Sequence, residues 1–389
     1  MDHQRRIYLD NAATSWPKPE AVYQAVDRYQ RELGAAAGRG AYAEAIEVGR
    51  EIDNTRSLVA RLIGAGDPRR VVFATNGTDA LNTAIHGLLA PGDHVVTTAT
   101  EHNSVLRPLT QWVRGGSVEV SYVTCDAVGW VDPEAIAATI RSSTRLVVIS
   151  HASNVTGTLQ DLEAIAGYVR ESDALLLVDA AQTLGHAAVD VSELGIDLLA
   201  APGHKGLLGP LGTGLLYVAE GIDAKLDARR QGGTGSQSES ADQPMLMPDK
   251  YESGNLNCPG ILGLGAGLRY LQQRGLETIE EQVRRLTAEM LAGLAEIPGV
   301  KLFGRADARH RVGVVSMALD GYDPQELAAT LDASCRVQTR AGYHCAARIH
   351  RVIGSDATGG TLRFSFGPFN TSADVTAAVD ALKQLADAV

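Results

Sequence analysis

Lys205 is the residue of this chain whose type and setting best suit covalent chemistry. It lies in the segment Pro202–Gly214, directly after the apolar run Ile196–Ala201. The chain has only six lysines against twenty-nine arginines, so arginine is its ordinary surface cation. A lysine removed from water loses its proton readily and can form a Schiff base, whereas an arginine cannot. Lys205 is therefore a candidate Schiff-base amine, with a solvated loop lysine as the alternative if the Gly-His-Lys motif is taken alone.

A carboxylate at the end of an apolar run meets a second requirement of the same chemistry. Asp179 follows the run Ala174–Val178, which is typical of a buried parallel strand. Open α/β sheets bind ligands at the carboxyl ends of such strands. Pyridoxal phosphate needs an acid there, because a protonated ring nitrogen lets the ring accept carbanion electrons. Asp179 and Lys205 together indicate a pyridoxal-phosphate site, with a helix-capping Asp as the alternative.

A helix start after Val71–Ala74 meets the third requirement, a site for phosphate. Gly77 and Thr78 are expected to open a helix that continues over Ala80–Leu89. Free backbone N–H groups and a hydroxyl at a helix N-terminus bind anions. No Gly-Lys-Ser/Thr follows, so the segment is not a Walker loop. An ordinary threonine cap of a helix is the alternative.

Nine short segments occur along the chain in an order that is typical of one protein family. They are Tyr8–Thr14, Thr75–Asn82, Glu101–Pro108, His151–Thr158, Val178–Gln182, Gly203–Gly214, Tyr251–Pro259, Arg340–Ala346 and Leu362–Thr371. The chain resembles the class V aminotransferase family of fold-type I pyridoxal-phosphate enzymes, and within it the cysteine desulfurase and selenocysteine lyase branch. The resemblance implies conversion of L-cysteine to L-alanine, with sulfane sulfur held on the protein as a persulfide and passed to an acceptor.

The resemblance assigns some residues to the reaction itself. Lys205 would bond to the cofactor and carry the substrate α-proton, His102 would stack on the cofactor ring, and Cys345 would be the nucleophile that holds the persulfide. Arg340 and His344 stand close to Cys345 in the sequence, and both are expected to supply a positive field for its thiolate. Without Cys345, the same site would only eliminate or transaminate.

Other residues are implied to bind the cofactor or the substrate. The cofactor-binding set is Lys205, Gly77, Thr78, His102, Asn154, Asp179, Gln182, His204 and Asn255. The substrate-binding set is Arg363, Asn154 and Ala12. Within these sets, Thr78 and His204 would hold the phosphate, and Arg363 would bind the substrate α-carboxylate through its planar fork. Plainer alternatives stay open. His102 could be a helix-capping or core histidine, and Arg363 could simply pair with a nearby acid. Asn154 and Gln182 could be turn or capping residues.

Two positions depart from the family pattern. Pro202 stands where many relatives have a phosphate-binding serine, and proline offers neither a hydroxyl nor an N–H. Asn255 stands where relatives usually provide a threonine to the partner subunit's phosphate, although its amide can still donate. Cys258 lies nearby, which leaves a second thiol at that site as an alternative. Because Tyr251–Pro259 reaches the neighbouring subunit in the family, we expect a homodimer.

Composition limits the class of protein. The 389 residues are 45% hydrophobic and carry a net charge of −11, which predicts about two domains and no nucleic-acid partner. No apolar stretch reaches the ~18–20 residues of a membrane span, and we expect no signal peptide, because Asp2–Arg6 leads directly into a short strand pattern. The four cysteines are Cys125, Cys258, Cys335 and Cys345. They form no Cys-x-x-Cys pair and no zinc spacing, so we predict no metal site. Free thiols fit a reducing cytoplasmic location. Cys125 follows the apolar run Val118–Val123 and is predicted to be a packed thiol.

Apolar runs alternate with helical patterns, which indicates an α/β fold with a mainly parallel seven-stranded sheet flanked by helices. The runs are Val71–Ala74, His94–Thr98, Val118–Val123, Leu146–Ser150, Leu175–Asp179, Ile196–Ala200 and Gly214–Val218. The resemblance implies the fold-type I transferase fold of pyridoxal-phosphate enzymes. Its large domain would span residues 15–260, and a smaller α+β domain would combine residues 1–14 with 261–389. Gly232–Pro248 is expected to form a long loop at the active site.

Elements of the smaller domain follow from the same patterns. Helices are expected over Ile261–Arg274 and Leu276–Ile297 and after Ser372, and strands near Val312–Leu319, Val337–Gln338 and Thr361–Phe366.

Three rival functions stay open at this stage. A selenocysteine lyase or another C–S lyase would use the same scaffold. A class V aminotransferase or epimerase would not need Cys345. A non-catalytic protein with this fold would have lost the cofactor, and the intact set of Lys205, Asp179 and His102 argues against it.

Overall fold

The computed structural model describes residues 5–387. Positions 1–4 and 388–389 of the predicted smaller domain lie outside the described residues. The strands are β1 (Ile7–Tyr8), β2 (Val71–Ala74), β3 (His94–Thr98), β4 (Glu119–Val123), β5 (Thr144–Ser150), β6 (Leu175–Asp179), β7 (Leu198–Pro202), β8 (Gly214–Val218), β9 (Val300–Phe303), β10 (Val314–Leu319), β11 (Val337–Gln338), β12 (Arg340–Gly342) and β13 (Thr361–Ser365).

Helices alternate with most of the strands along the chain. They are α1 (Glu20–Arg28), α2 (Ala43–Leu62), α3 (Gly77–Leu88), α4 (Asn103–Arg114), α5 (Pro133–Thr139), α6 (Leu162–Arg170), α7 (Val191–Leu194), α8 (Cys258–Arg274), α9 (Leu276–Ala295), α10 (Pro324–Cys335), α11 (Ala347–Ile353) and α12 (Ser372–Ala386). In the part of the chain that the structure describes, no helix is both long and apolar enough to cross a membrane.

The larger sheet has seven strands in the order β2-β8-β7-β6-β5-β3-β4. Strand β8 runs antiparallel to both of its neighbours, and the other neighbouring pairs are parallel. Every residue of β6 and β7 is buried, as expected of strands covered on both faces by helices. The predicted seven-stranded, mainly parallel sheet is confirmed.

The register of the central strands brings their carboxyl ends to one edge. Ser150 at the end of β5 pairs with Asp179 at the end of β6, and Asp179 pairs with Ala200 of β7. Strand β7 continues to Pro202, two residues past the predicted end, and the chain then turns into His204 and Lys205. Parallel strands that end together therefore carry the acid and the lysine to the same place.

A second sheet lies within residues 261–389. Its four antiparallel strands have the order β12-β13-β10-β9, and Arg340 of β12 pairs directly with Arg363 of β13. The N-terminal segment joins this part of the chain, because β1 pairs with β11 and Asp10 forms a bridge with Ser365. The domain boundaries themselves stay a prediction.

Helix α8 begins three residues before its predicted start at Ile261. The side chain of Asn257 caps it by accepting a hydrogen bond from Gly260 N at 3.2 Å, and Pro259 occupies the first turn. Both are ordinary signals of a helix start. The segment Gly232–Pro248 contains no helix or strand, so a loop is confirmed there, but none of its residues lines the cavity around Lys205.

Candidate active site

The N-terminus of α3 forms one wall of a cavity at this sheet edge. Asn76 caps the helix by accepting a hydrogen bond from Asp79 N at 2.9 Å, and the N–H groups of Gly77 and Thr78 belong to the first turn. A Cβ atom on Gly77 would lie 3.1 Å from Pro202 Cδ, so the close approach of Pro202 favours glycine there. The end of α3 thus suits an anion.

Hydrogen bonds from the N-terminal segment hold the backbone directly before Lys205. The carbonyl oxygen of His204 accepts hydrogen bonds from Ser15 N at 3.0 Å, Ser15 Oγ at 3.1 Å and Thr14 Oγ1 at 3.2 Å. Lys18 Nζ donates to the same oxygen at 2.7 Å. Ser15 Oγ also lies 2.9 Å from the Lys205 carbonyl oxygen, and together these contacts fix the backbone from which the Lys205 side chain starts.

Lys205 and Asp179 change each other's protonation inside the cavity. Burial lowers the pKa of Lys205 to about 8, and the charge of Asp179 opposes this effect. Burial raises the pKa of Asp179, while the N–H of Ala181, at 2.9 Å from its Oδ1, and Lys205 favour its charged form. A lysine with a pKa near neutrality supplies the free amine that attacks a carbonyl group.

His102 caps α4 and also lines the cavity, so the capping alternative and the cavity role coexist. Its Nδ1 accepts a hydrogen bond from Ser104 N at 3.0 Å. Burial lowers the pKa of His102 to about 4, with a further contribution from Lys205, so the ring is neutral at pH 7. Because Nδ1 accepts, the single ring proton resides on Nε2.

The cavity has a volume of about 200 Å³. Nine of the twelve predicted site residues line it: Ala12, Gly77, Thr78, His102, Asn154, Asp179, Gln182, His204 and Lys205. Ser104 and Arg340 line it as well. Ser104 is not evident from the sequence alone, although it lies within Glu101–Pro108 and a hydroxyl two residues after a helix cap is a usable signal.

Cys345 lies behind Arg340, which bridges it to the cavity. Arg340 Nη2 is 3.2 Å from Cys345 Sγ. The Cys345 carbonyl accepts a hydrogen bond from Asn103 N at 2.7 Å, and the preceding carbonyl, of His344, accepts one from Asn154 Nδ2 at 2.6 Å. His344 and Cys345 have φ angles of 47° and 60°, in the left-handed region that side chains disfavour. The turn is held by contacts rather than by regular secondary structure.

His344 does not supply charge to Cys345, and that expectation is wrong. Its side chain is buried, and its Nε2 lies 2.9 Å from Thr361 Oγ1. Burial lowers the pKa of His344 well below its ordinary value, with a further contribution from Arg363, so the ring is neutral at pH 7. Arg340 is therefore the cation that contacts the thiol.

Arg363 is fully buried and does not line the cavity. Its Nη2 pairs with Asp10 Oδ1 at 2.8 Å, and its Nη1 donates to the carbonyl oxygen of Asn154 at 3.0 Å. Its Nε is buried without a hydrogen-bond partner among the described residues. Arg363 thus pairs with a nearby acid, Asp10, as the plainer alternative expected. Asp10 lies within Tyr8–Thr14, but nothing in that segment reveals its partner.

Asn255 lies away from the Lys205 cavity. It is exposed and borders a separate cavity together with Cys258, which is buried. Thr234 and Pro248, from the Gly232–Pro248 loop, border this second cavity too. Within one chain, then, neither the loop nor Cys258 reaches Lys205, and the predicted role of Asn255 requires a partner subunit. Cys125 is buried, as predicted.

The residues of the Lys205 cavity fit pyridoxal phosphate. His204 Nδ1 is buried without a hydrogen-bond partner among the described residues, and both His204 and the first turn of α3 line the cavity, which suits an anion. The cofactor also needs a buried acid for its ring nitrogen and a lysine with a lowered pKa. Asp179 and Lys205 are these two residues.

Comparison with known proteins agrees with this geometry. Residues 7–378 match the family described as Aminotransferase class-V. A probable cysteine desulfurase of Methanothermobacter thermautotrophicus is 36% identical over 383 residues, which cover 98% of this chain and 94% of that protein. The apo structure of a cysteine desulfurase from Thermococcus onnurineus NA1 has a TM-score of 0.92 at 31% identity, with 99% of this chain and 95% of that chain covered.

A further solved structure extends the likeness to a bacterial protein. A cysteine desulfurase from Escherichia coli has a TM-score of 0.89 at 29% identity and covers 99% of this chain and 95% of its own. These likenesses confirm the fold-type I transferase fold that the resemblance implied. With the family match over residues 7–378, they show that the chain belongs to the class V aminotransferase family.

Proposed function

We propose that this chain is a pyridoxal-phosphate-dependent cysteine desulfurase, which converts L-cysteine to L-alanine and holds the removed sulfur on Cys345 as a persulfide. One observation carries the proposal: Arg340 lines the cavity that contains Lys205 and Asp179, and its Nη2 is 3.2 Å from Cys345 Sγ. The thiol of Cys345 therefore lies next to the cavity that contains the lysine. The names of the relatives, cysteine desulfurase and probable cysteine desulfurase, support this function.

The cofactor would be held mainly by residues that line the cavity. The phosphate would take the N–H groups of Gly77 and Thr78 and the free side-chain nitrogen of His204. His102 would lie against the ring, and Asp179 would pair with the ring nitrogen. Asn154 and Gln182 would lie at the phenolic oxygen, and Ala12 at the substrate. When bound, the cofactor supplies an electron sink for negative charge at the substrate α-carbon.

Lys205 moves the proton in this proposal. Its Nζ is a free base in a useful fraction of molecules at neutral pH, because burial lowers its pKa to about 8. It takes the substrate α-proton and later returns a proton to carbon. Proton transfer by a positioned side chain typically contributes ~10²–10⁴-fold to the rate.

Cys345 takes the sulfur. Its thiolate attacks the substrate sulfur, so that a sulfur–sulfur bond forms and the substrate carbon–sulfur bond breaks. The electrons of the broken bond stay with carbon, which takes a proton and becomes the methyl group of alanine. Arg340 stabilises the negative charge on the sulfur. Arg363, with its unpartnered Nε–H, is proposed to bind the substrate carboxylate while it remains paired with Asp10.

The turn that carries Cys345 is short and held at both sides. Asn103 and Asn154 anchor its backbone, so the persulfide is expected to stay close to the cavity. We therefore expect slow turnover on cysteine alone and faster turnover with a thiol reductant or an acceptor protein.

Incubation of the purified protein, loaded with pyridoxal phosphate, tests the function. L-Cysteine, L-selenocysteine and a cysteine conjugate are each supplied with and without dithiothreitol, and alanine, sulfide, selenide and pyruvate are measured. With dithiothreitol present we expect equal amounts of alanine and sulfide from L-cysteine, because the thiol reduces the persulfide and releases its outer sulfur as sulfide; without it, alanine should form more slowly. Pyruvate as the main product would indicate a C–S lyase, and turnover of selenocysteine alone would indicate a selenocysteine lyase.

We also infer a homodimer in the cytoplasm. Asn255 is exposed at a cavity of its own, which leaves it free to reach the cofactor of a partner subunit. All four cysteines are free, which suits a reducing compartment. Light scattering should give twice the mass of one chain, and a fully active monomer at micromolar concentration would contradict this.

A further inference from the structure

Asp10 connects the buried Arg363 to a segment that forms part of the cavity wall. The backbone around Asp10 is held against β13, because Asp10 forms a bridge with Ser365 and Ala12 N donates to Ser365 Oγ at 2.8 Å. Ala12 itself lines the Lys205 cavity. The side chain of Asp10 is 19% exposed, whereas that of Arg363 is fully buried. The acid thus contacts Arg363 and lies two residues from the cavity wall.

The guanidinium of Arg363 has one prong of its fork occupied and one prong free. Nη2 pairs with Asp10 Oδ1 at 2.8 Å, and Nη1 donates to the carbonyl oxygen of Asn154, a residue of the cavity wall, at 3.0 Å. Nε has no partner among the described residues. Nε–H and one N–H of Nη2 point along the same edge of the planar group. A carboxylate that takes Nε–H therefore lies beside Asp10.

Charge makes this neighbourhood unfavourable for a second acid. Burial lowers the pKa of Arg363, and the charge of Asp10 opposes that effect. Arg340, which pairs with Arg363 across β12 and β13, adds a second positive charge. In the empty site Asp10 is the counterion that contacts Arg363. When an amino acid binds, its carboxylate and that of Asp10 are two like charges on one guanidinium, and they repel each other.

We propose that Asp10 is a resident counterion of Arg363, which limits the affinity of the site for the α-carboxylate of its substrate and product. The inference rests on the proposed function, in which Arg363 binds that carboxylate. L-Alanine carries the same carboxylate and amine as L-cysteine, so an unopposed arginine would retain the product as well. Asp10 keeps the buried charge compensated when the product leaves, and an uncompensated buried charge is costly.

Two ligands that differ only in the carboxylate test the proposal. The protein loaded with pyridoxal phosphate is titrated with L-alanine and with ethylamine, and binding is followed by the absorption of the cofactor. Asp10→Asn keeps an oxygen that accepts from Nη2 but removes the negative charge. Its affinity for L-alanine should rise by about tenfold, since the like-charge repulsion is gone. Its affinity for ethylamine should stay within about twofold of the unaltered protein's.

Steady-state kinetics with L-cysteine give a second measurement on the same variant. Tighter binding of the carboxylate acts on the ground state and the transition state alike, so it lowers KM without speeding the chemical steps. Asp10→Asn should therefore have a lower KM for L-cysteine and a kcat no higher than that of the unaltered protein.

Three control variants separate the charge of Asp10 from a general change in the fold. Asp10→Glu keeps the charge and should keep the L-alanine affinity of the unaltered protein. Asp10→Ser is a second neutral variant and should show the same gain, so it decides the question if Asp10→Asn does not fold. Asp223 is a comparable acid, 25% exposed and paired with Arg70 at 2.6 Å away from the cavity. Asp223→Asn should change neither affinity.

Weaker binding of L-alanine by the neutral variants would overturn the proposal, because it would show that Asp10 only orients Arg363. Unchanged L-alanine affinity, or an equal gain for ethylamine, would overturn it too. If the unaltered protein responds to neither L-alanine nor L-cysteine, the proposed function fails together with this inference. A normal response of the unaltered protein, with no gain in the neutral variants, refutes the role of Asp10 alone.

Discussion

Two regions of the site are built in different ways. The lysine side consists of Asp179, Lys205 and the start of α3, and it lies at the ends of buried strands. The cysteine side is the segment Arg340–Ala346, in which two consecutive residues have left-handed backbone angles. Strand register positions the first region, whereas the turn after β12, which carries Cys345, is positioned by individual hydrogen bonds. Burial controls protonation on the lysine side, whereas a neighbouring guanidinium contacts the thiol on the cysteine side.

The two sides meet at the start of α4. His102 caps this helix and faces the lysine side, while the N–H of Asn103 holds the Cys345 carbonyl at 2.7 Å. Of these two adjacent residues, one contacts the lysine side and the other contacts the cysteine side. The arrangement predicts that the lysine side can bind cofactor without a functional thiol, and that the thiol cannot acquire sulfur without the lysine side.

The largest expected effect is that of Lys205→Ala. The variant should lose the covalent bond to the cofactor and at least ~10³-fold in desulfurase rate, because it lacks both the amine and the proton carrier. Borohydride reduction followed by peptide analysis measures the bond. Lys225→Ala, which removes an exposed lysine, is the control and should be labelled like the unaltered protein. Equal labelling of both variants would remove Lys205 from this role.

Cys345→Ser should separate the two sides. A hydroxyl is a far poorer nucleophile than a thiolate, so desulfuration of cysteine should fall by at least ~10²-fold while the affinity for pyridoxal phosphate stays unchanged. Parallel assays of alanine formation and cofactor binding check this. The matched control is Cys335→Ser, at a half-buried thiol on α10, which should keep full activity. A serine variant that works at the unaltered rate would refute the assignment.

A smaller effect is expected when the guanidinium beside the thiol is removed. Arg340→Met keeps much of the bulk but not the charge, so negative charge on Cys345 Sγ loses its stabilising partner. Alkylation of Cys345 by iodoacetamide at pH 7 should slow by about tenfold. Cys335 in the same molecule serves as the internal control. An unchanged rate at Cys345 would show that the contact has no chemical consequence.

The pH dependence of cofactor attachment tests the lysine side by itself. Burial lowers the pKa of Lys205 to about 8, so the reactive free amine increases as the pH rises through that value. Between pH 7 and pH 9 the initial rate of attachment should rise by about tenfold and then level off. His102 and His204, with pKa values of about 4, stay neutral over this range.

A second lysine requires a control in that experiment. Burial lowers the pKa of Lys18 to about 8 as well, and it donates to the His204 carbonyl. Lys18→Arg keeps a positive charge that does not titrate in this range, so the profile should be unchanged. A midpoint near the ordinary lysine pKa in both proteins would contradict the role of burial.

The same difference explains what the sequence can predict. Asp179 and Lys205 follow buried apolar runs, and the ends of parallel strands meet at one edge whatever the details of packing. Gly77 and Thr78 follow from the chemistry of helix starts. These positions depend on regular local structure, which sequence patterns reveal.

Other parts of the site depend on contacts that no local pattern encodes. Asp10 pairs with Arg363 across 353 residues of chain. His344 is neutral because the folded chain buries it against Thr361, although its position beside Cys345 in the sequence favours a charged role. Asn255 lies in an irregular segment, whose course no sequence pattern determines. Its place at a separate cavity therefore could not be predicted.

Mass spectrometry of the peptide that contains Cys345 tests the joint action of the two sides most directly. The protein loaded with pyridoxal phosphate is treated with L-cysteine without a reductant, and Lys205→Ala is treated in parallel. We predict one added sulfur atom on Cys345 in the unaltered protein and none in the variant. Added sulfur on Cys258 instead of Cys345, or equal sulfur on Cys345 in both proteins, would contradict a single site in which the lysine side supplies sulfur to the cysteine side.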